Sequence, residues 1–315
     1  MSHIYIYSPS SAVRDKAAFR RGVARLKTLG HAVEIDEAAL ASHLRFAGDD
    51  DTRLAAIERA AASGADVALI SRGGYGLTRL LPRIPYKAVA RAIGRGTQFV
   101  GLSDFTAFQC ALLAKTGAIT WAGPALGEDF GVEGTPDDIM EDCFADLLLR
   151  QGEGAGWQLP RNAIDSIADD AQPAGTTGRK PIKNGLLWGG NLSVIAALVG
   201  TPWLPAERGG ILFLEDVNEH PYRIERMLTQ LLHAGVLARQ KAVVLGQFTS
   251  YKLVPPDKGF KLQTVIDWLR SQLKVPVLTH LPFGHVPTKV LLPVGARVNL
   301  AVEGRDAFLL WGHRD

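Results

Sequence analysis

From Ile4 to Lys115 the chain alternates short apolar runs with longer helical patterns, and this alternation restricts it to an α/β fold. Strands are expected at Ile4 to Tyr7, His31 to Ile35, Asp66 to Ser71 and Gln98 to Gly101. Helices are expected over Lys16 to Leu29, Asp51 to Ser63, from Leu77 onward, and as an amphipathic helix over Phe105 to Lys115. Strands that alternate with helices in this way build a parallel, doubly wound sheet. Near Gln151 the pattern breaks into Gly-Glu-Gly-Ala-Gly, Pro-Arg-Asn and Ala-Gly-Thr-Thr-Gly, with few apolar residues and no sustained period. Residues 156–183 therefore read as an interdomain crossing between an N-terminal domain, 1–155, and a C-terminal domain, 184–315. The later runs Gly210 to Leu214, Ala242 to Phe248, Val277 to Leu281 and Arg297 to Val302 have strand character, with one clear helix over Tyr222 to Ala234. A chain of 315 residues exceeds the size at which one core keeps growing, so two domains with a reactive cleft between them are expected.

Composition narrows the function classes. With 47% hydrophobic and 21% charged residues the chain can bury a core, which excludes disorder as its main state. The 35 basic and 32 acidic residues leave a net charge of +3, and the basic residues are scattered rather than blocked, so nucleic acid is not an expected partner. Neither an export-signal pattern nor an 18-residue apolar span is present, so a cytoplasmic protein with no membrane partner is expected. Cys110 and Cys143 both fall in apolar, helix-like stretches, and buried thiols are expected rather than a disulfide. H-E-x-x-H is absent and the cysteines are far apart, so no metal and no cofactor are expected.

Four segments carry residue types suited to acyl-transfer chemistry. Phe99-Val-Gly-Leu-Ser103-Asp-Phe-Thr runs from an apolar strand into a helix, which is how a nucleophile elbow presents a serine hydroxyl. The following amide, on Asp104, then points at a developing oxyanion. Phe105 replaces the second glycine of the elbow pattern, and a plain helix N-cap is the competing role for Ser103. Ser71-Arg-Gly-Gly-Tyr-Gly76 allows close backbone approach, either to donate an oxyanion amide from Gly74 or to cradle a phosphate. Glu215 and Asp216 end an apolar strand, where one of them can orient an imidazole or both can cap the following helix. His285, in the turn-rich Leu281-Pro-Phe-Gly-His-Val-Pro, is the best placed of the eight histidines to act as a base. In Leu187-Trp-Gly-Gly-Asn191-Leu-Ser, Asn191 is expected to bind a peptide substrate, to cap a helix, or to do both. Tyr75, Trp188 and Trp203 are candidates to line the cleft.

The order and wording of these segments resemble the LD-carboxypeptidase family. The resemblance rests on Arg72-Gly-Gly-Tyr-Gly76, Gly101-Leu-Ser-Asp-Phe-Thr106, Trp188-Gly-Gly-Asn-Leu192, Gly200-Thr-Pro-Trp203, Ile211 to Asp216 with Asn218 to Arg223, and Phe283-Gly-His285. It implies a flavodoxin-like N-terminal domain, a smaller α/β C-terminal domain and an active site between them. It also implies a Ser103–His285–Glu215 triad and an oxyanion hole from the amides of Gly74 and Asp104. The implied substrate is cytoplasmic murein tetrapeptide, which loses its terminal D-alanine, and the implied assembly is a homodimer. A related branch hydrolyses peptide-nucleotides of the microcin C type, and a non-catalytic sugar- or phosphate-binding protein is the reading from another class. Ala125 and Leu102 depart from the family pattern and bear on substrate choice, not on the triad.

Overall fold

The computed structural model describes residues 1–160 and 180–312. They group into two compact units: Met1–Gln151 with Gly200–Pro205 and Pro287–Gly295, and the described parts of Gly152–Val199, Ala206–Val286 and Ala296–Asp315. Neither unit is one contiguous stretch of chain.

In the first unit, strands β1 (His3–Tyr7), β2 (Ala32–Ile35), β3 (Val67–Ile70), β4 (Gln98–Gly101) and β5 (Thr120–Ala122) form a parallel sheet in the order 2-1-3-4-5. That is the flavodoxin-like order. Both faces are covered, which is why β3 is apolar without alternation. On one face Ile4, Ile6, Val67, Leu69 and Val100 meet Phe19, Val23 and Leu26 of helix α1 (Lys16–Thr28). The later residues Met140, Phe144 and Leu147 join the same cluster. Tyr7 and Phe99 of the sheet meet edge to face, 6.3 Å between centroids, and Phe99 packs on Phe108 at 5.8 Å. Helix α2 (Asp50–Ala62) starts where the Asp49 carboxylate accepts the Thr52 amide at 2.8 Å.

The single helix expected from Leu77 is instead two short 3₁₀ turns, Leu77–Arg79 and Leu81–Arg83, followed by α3 (Tyr86–Gly94). Pro82 and Pro85 supply no amide, and Ile84, before Pro85, is extended with ψ +134°, so a continuous helix cannot cross them. Helix α4 (Phe105–Thr116) also differs from expectation. Its residues from Phe105 to Leu113 are all buried, so it is a core helix and not an amphipathic one. Helix α5 (Asp138–Leu149) is capped by the Asp137 carboxylate, which accepts the Met140 amide.

The second unit holds β6 (Gly154–Gln158), β7 (Ile182–Asn191), β8 (Ile211–Val217), β9 (Ala242–Thr249) and β10 (Val277–Leu278), with helices α6 (Leu192–Leu198), α7 (Pro221–His233) and α8 (Leu262–Gln272). Strands β7 to β10 pair in parallel. Late in the chain, β11 (Leu292–Val294) pairs antiparallel with β5 and so completes the first unit's sheet. Strands β12 (Arg297–Glu303) and β13 (Asp306–Leu310) return to the second unit and join β7 to β6 through antiparallel pairs. Part of the span read as a crossing is therefore strand: β6 reaches Gln158 and β7 starts at Ile182, while residues 161–179 lie outside the described residues. In β6 the buried Ala155 and Trp157 alternate with exposed positions, and the Trp157 indole donates to the Thr279 carbonyl at 2.9 Å. Helix α8 was not expected, although it buries Val265, Ile266 and Leu269 at helical spacing.

Segment Pro287–Gly295 is tied into the first unit by a buried ion pair. Lys289 Nζ meets Asp129 Oδ1 at 2.5 Å, with both side chains only 3% accessible, and Asp129 Oδ2 accepts the Ala125 amide at 2.8 Å. Both cysteines are free thiols. Among the described residues no helix is long and apolar enough to cross a membrane.

Candidate active site

Ser103 sits between β4 and α4 with φ +64°, a left-handed backbone that a non-glycine residue adopts at a cost of about 1–3 kcal/mol. It does not cap α4: the N-cap is Asp104, whose side chain makes no cap bond to the helix. What holds the elbow is its surroundings. A β-carbon on Gly101 would lie 2.6 Å from Ile70 Cδ1 and 2.8 Å from Phe105 Cδ1, so any side chain there would force Ile70 and Phe105 to shift. Phe105, in place of the pattern's second glycine, stacks on Phe108 at 4.9 Å and locks the helix start into the core.

The glycine-rich loop packs directly on this serine. A β-carbon on Gly73 would lie 2.6 Å from Ser103 Cβ and 2.9 Å from its Oγ, so the absence of a side chain at 73 is what lets the two segments touch. Gly74, at φ +106°, lies equally close to Ser11. The rest of the loop is pinned. The Tyr75 amide donates to Ser11 Oγ at 2.9 Å, the Gly76 carbonyl accepts from Arg53 at 2.9 Å, and the buried Asp104 carboxylate accepts the Leu77 amide at 2.8 Å, the Gly76 amide and Ser10 Oγ. Burial pushes the Asp104 carboxyl above the usual carboxylate range, and its hydrogen bonds and the nearby Arg53 charge oppose that rise. Among the described residues the amides of Gly74 and Asp104 donate to no protein acceptor, whereas those of Tyr75, Gly76 and Leu77 are all engaged. A phosphate cradle would use the N-terminus of a sustained helix, but this loop leads only into a three-residue 3₁₀ turn.

In the second unit, Glu215 is fully buried near the end of β8, and its Oε2 meets His285 Nδ1 at 2.8 Å. A carboxylate there accepts the Nδ1 hydrogen and leaves the lone pair on Nε2. Gly284, at φ +141°, makes the contact possible: a β-carbon would lie 3.1 Å from Glu215 Oε2 and 3.0 Å from the Gln247 carbonyl. Gly284→Ala is expected to impose about 1–3 kcal/mol of local strain and to lower kcat about 10- to 100-fold by displacing the pair. Steady-state kinetics beside a thermal melt would check it.

Of the two acidic residues, Glu215 meets the imidazole, and neither caps α7, whose N-cap is His220. Asp216 holds the first turn of α6: it accepts the Ser193 amide at 2.9 Å, Ser193 Oγ at 2.6 Å and Asn191 Nδ2 at 3.0 Å. Burial pushes its carboxyl above the usual range. Asn191 is the N-cap of α6, its Oδ1 accepting the Val194 amide, and its Nδ2 also donates to Glu215 Oε1 at 3.2 Å. These bonds place Asn191 beneath the Glu215 carboxylate, a role that the sequence reading missed. Only the β7–β8 register, which pairs Asn191 with Glu215, reveals it. Trp188 is fully buried and donates to Gln240, so it is core and lines no cleft. Tyr75 is 43% exposed, beside Phe46 and under Arg45.

Comparison with known proteins puts this equipment in a peptidase. The chain belongs to the LD-carboxypeptidase family: residues 4–123 match the model of its N-terminal domain and residues 184–300 that of its C-terminal domain. A putative carboxypeptidase of Synechocystis is 31% identical over 299 residues, 94% of this chain and 90% of the relative. The crystal structure of muramoyltetrapeptide carboxypeptidase from Oxalobacter formigenes superposes with a TM-score of 0.83 at 38% identity, covering 99% of both chains. The microcin C7 self-immunity protein MccF of Escherichia coli is 27% identical over 74% of this chain and 70% of its own.

Proposed function

We propose that the chain is a serine-type LD-carboxypeptidase that removes the terminal D-alanine from murein tetrapeptides in the cytoplasm. The observation that carries this reading is the Glu215–His285 contact, a fully buried carboxylate 2.8 Å from an imidazole nitrogen. In the proposed mechanism His285 Nε2 takes the Ser103 proton as Ser103 Oγ attacks the carbonyl of the diamino acid's L-centre. Glu215 holds the imidazole tautomer and offsets the charge of the imidazolium, which then protonates the departing D-alanine nitrogen. Water, activated by the same imidazole, hydrolyses the acyl-serine. The amides of Gly74 and Asp104 are assigned to the oxyanion, each contributing about 3 kcal/mol to the transition state. Tyr75, exposed on the glycine loop, is assigned to substrate contact, while Asn191 acts through Glu215. A homodimer is part of the same reading and rests on family resemblance alone.

The likeness to MccF supports a second reading, hydrolysis of a peptide-nucleotide by the same residues. The two separate in a paired assay of L-Ala-γ-D-Glu-meso-diaminopimelyl-D-Ala and an aspartyl-nucleotide phosphoramidate. The murein reading expects kcat/KM for the tetrapeptide to be at least about 100-fold higher, on the scale of specificity set by placed polar groups. The reverse order would move the assignment to peptide-nucleotides.

A further inference from the structure

An exopeptidase has a requirement that an endopeptidase lacks: it must sense the free carboxylate one residue beyond the scissile carbonyl. A guanidinium suited to that task lies beside the oxyanion donors, is held in place, and has no carboxylate of its own. Arg72 meets each condition. It directly precedes Gly73, whose α-carbon packs on Ser103, and a β-carbon on Gly74 would lie 3.8 Å from Arg72 Nη2. Its Nη1 donates to the Ala12 carbonyl at 3.1 Å, and Ala12 is fixed in turn by its amide's bond to the Arg45 carbonyl at 3.0 Å. Among the described residues no carboxylate lies within 4.0 Å of Arg72. Other arginines of the same unit are paired: Arg53 and Arg79 with Asp50, Arg59 with Asp36, and Arg83 with Asp51. A half-buried, anchored cation, its guanidinium beside Gly74 in the loop that packs on the nucleophile, therefore keeps its charge unmatched until a substrate arrives.

We propose that Arg72 reads the terminal carboxylate of the leaving amino acid and thereby makes this site an exopeptidase. The inference rests on the carboxypeptidase reading above. Its test compares the tetrapeptide with its C-terminal amide, following release of D-alanine or D-alaninamide by the native protein, Arg72→Met, Arg72→Lys and, as a control, Arg79→Met. The native protein and the Arg79 variant are expected to favour the free acid by about 100-fold or more in kcat/KM. Arg72→Met is expected to raise KM for the acid by about 10- to 100-fold while leaving the amide nearly unaffected, so that the preference collapses, and Arg72→Lys should restore part of it. If Arg72→Met keeps the native preference, or loses both substrates equally, the Arg72 assignment is overturned while the carboxypeptidase reading stands. If the native protein cleaves neither substrate, that reading fails and this assignment falls with it.

Discussion

Replacing Lys289 with methionine is expected to lower the stability of the protein by about 3–5 kcal/mol, the usual cost of removing one partner from a buried ion pair. Methionine fills nearly the same volume, so the loss comes from charge and not from a cavity. Asp129 would keep its bond from the Ala125 amide but would be left as a buried carboxylate with no cation. Burial already pushes the Asp129 carboxyl upward, with Lys289 opposing it. Without the lysine, the folded variant would bind a proton at Asp129 at a pH where the unfolded chain does not. Its stability deficit should therefore be largest near neutral pH and should shrink as pH falls toward the ordinary carboxylate range. The double variant Lys289→Met/Asp129→Asn, which removes both charges and keeps an acceptor for Ala125, should recover most of the loss. Urea melts of the native protein and both variants at two pH values would decide this. A deficit below about 1 kcal/mol in the single variant would mean that the pair is open to solvent.

The second large effect concerns catalysis. Ser103→Ala is expected to reduce kcat for D-alanine release by about 10⁴- to 10⁶-fold, because no other group in the proposed mechanism can form the acyl intermediate. His285→Ala should cost about as much. The double variant should be scarcely worse than either single one, since a nucleophile without its base, or a base without its nucleophile, is already idle. Ser103→Ala removes no bond that holds the fold, because Ser103 is fixed by backbone geometry and packing, whereas His285→Ala also takes the imidazole from the buried Glu215 and is expected to cost some stability. A thermal midpoint of Ser103→Ala near that of the native protein would show that the loss is chemical. Additive losses in the double variant would mean that the two residues do not act as one unit.

How much of this was legible in the sequence depended on whether the information was local. The strand-to-helix turn at Ser103, the glycine loop before it and the Phe283-Gly-His285 turn each announce themselves within a few residues, and the structure returns each of these local shapes. Pro82 and Pro85 were equally visible, and reading them would have broken the helix expected from Leu77. Other features leave no local trace. The partners Asp129 and Lys289 lie far apart in the chain, and only the return of Pro287–Gly295 to the first unit brings them together. Asn191 read as a helix cap, a substrate ligand or both, and the structure returns the cap, but nothing near it in the sequence names Glu215 as its neighbour. That neighbour is set by the β7–β8 register. Asp104 was read only for its amide, yet its carboxylate holds the far end of the loop that packs on Ser103. Strand β6 was hidden because its glycines, Gly154 and Gly156, resemble linker text, while the strand's evidence is the pair Ala155 and Trp157 packing inward.

The measurement that tests the central claim most directly is the release of D-alanine from L-Ala-γ-D-Glu-meso-diaminopimelyl-D-Ala by the native protein, before and after exhaustive treatment with EDTA. A serine-type LD-carboxypeptidase releases D-alanine at the same rate in both samples. No release from either sample, or release that EDTA abolishes and an added divalent metal restores, would contradict the account.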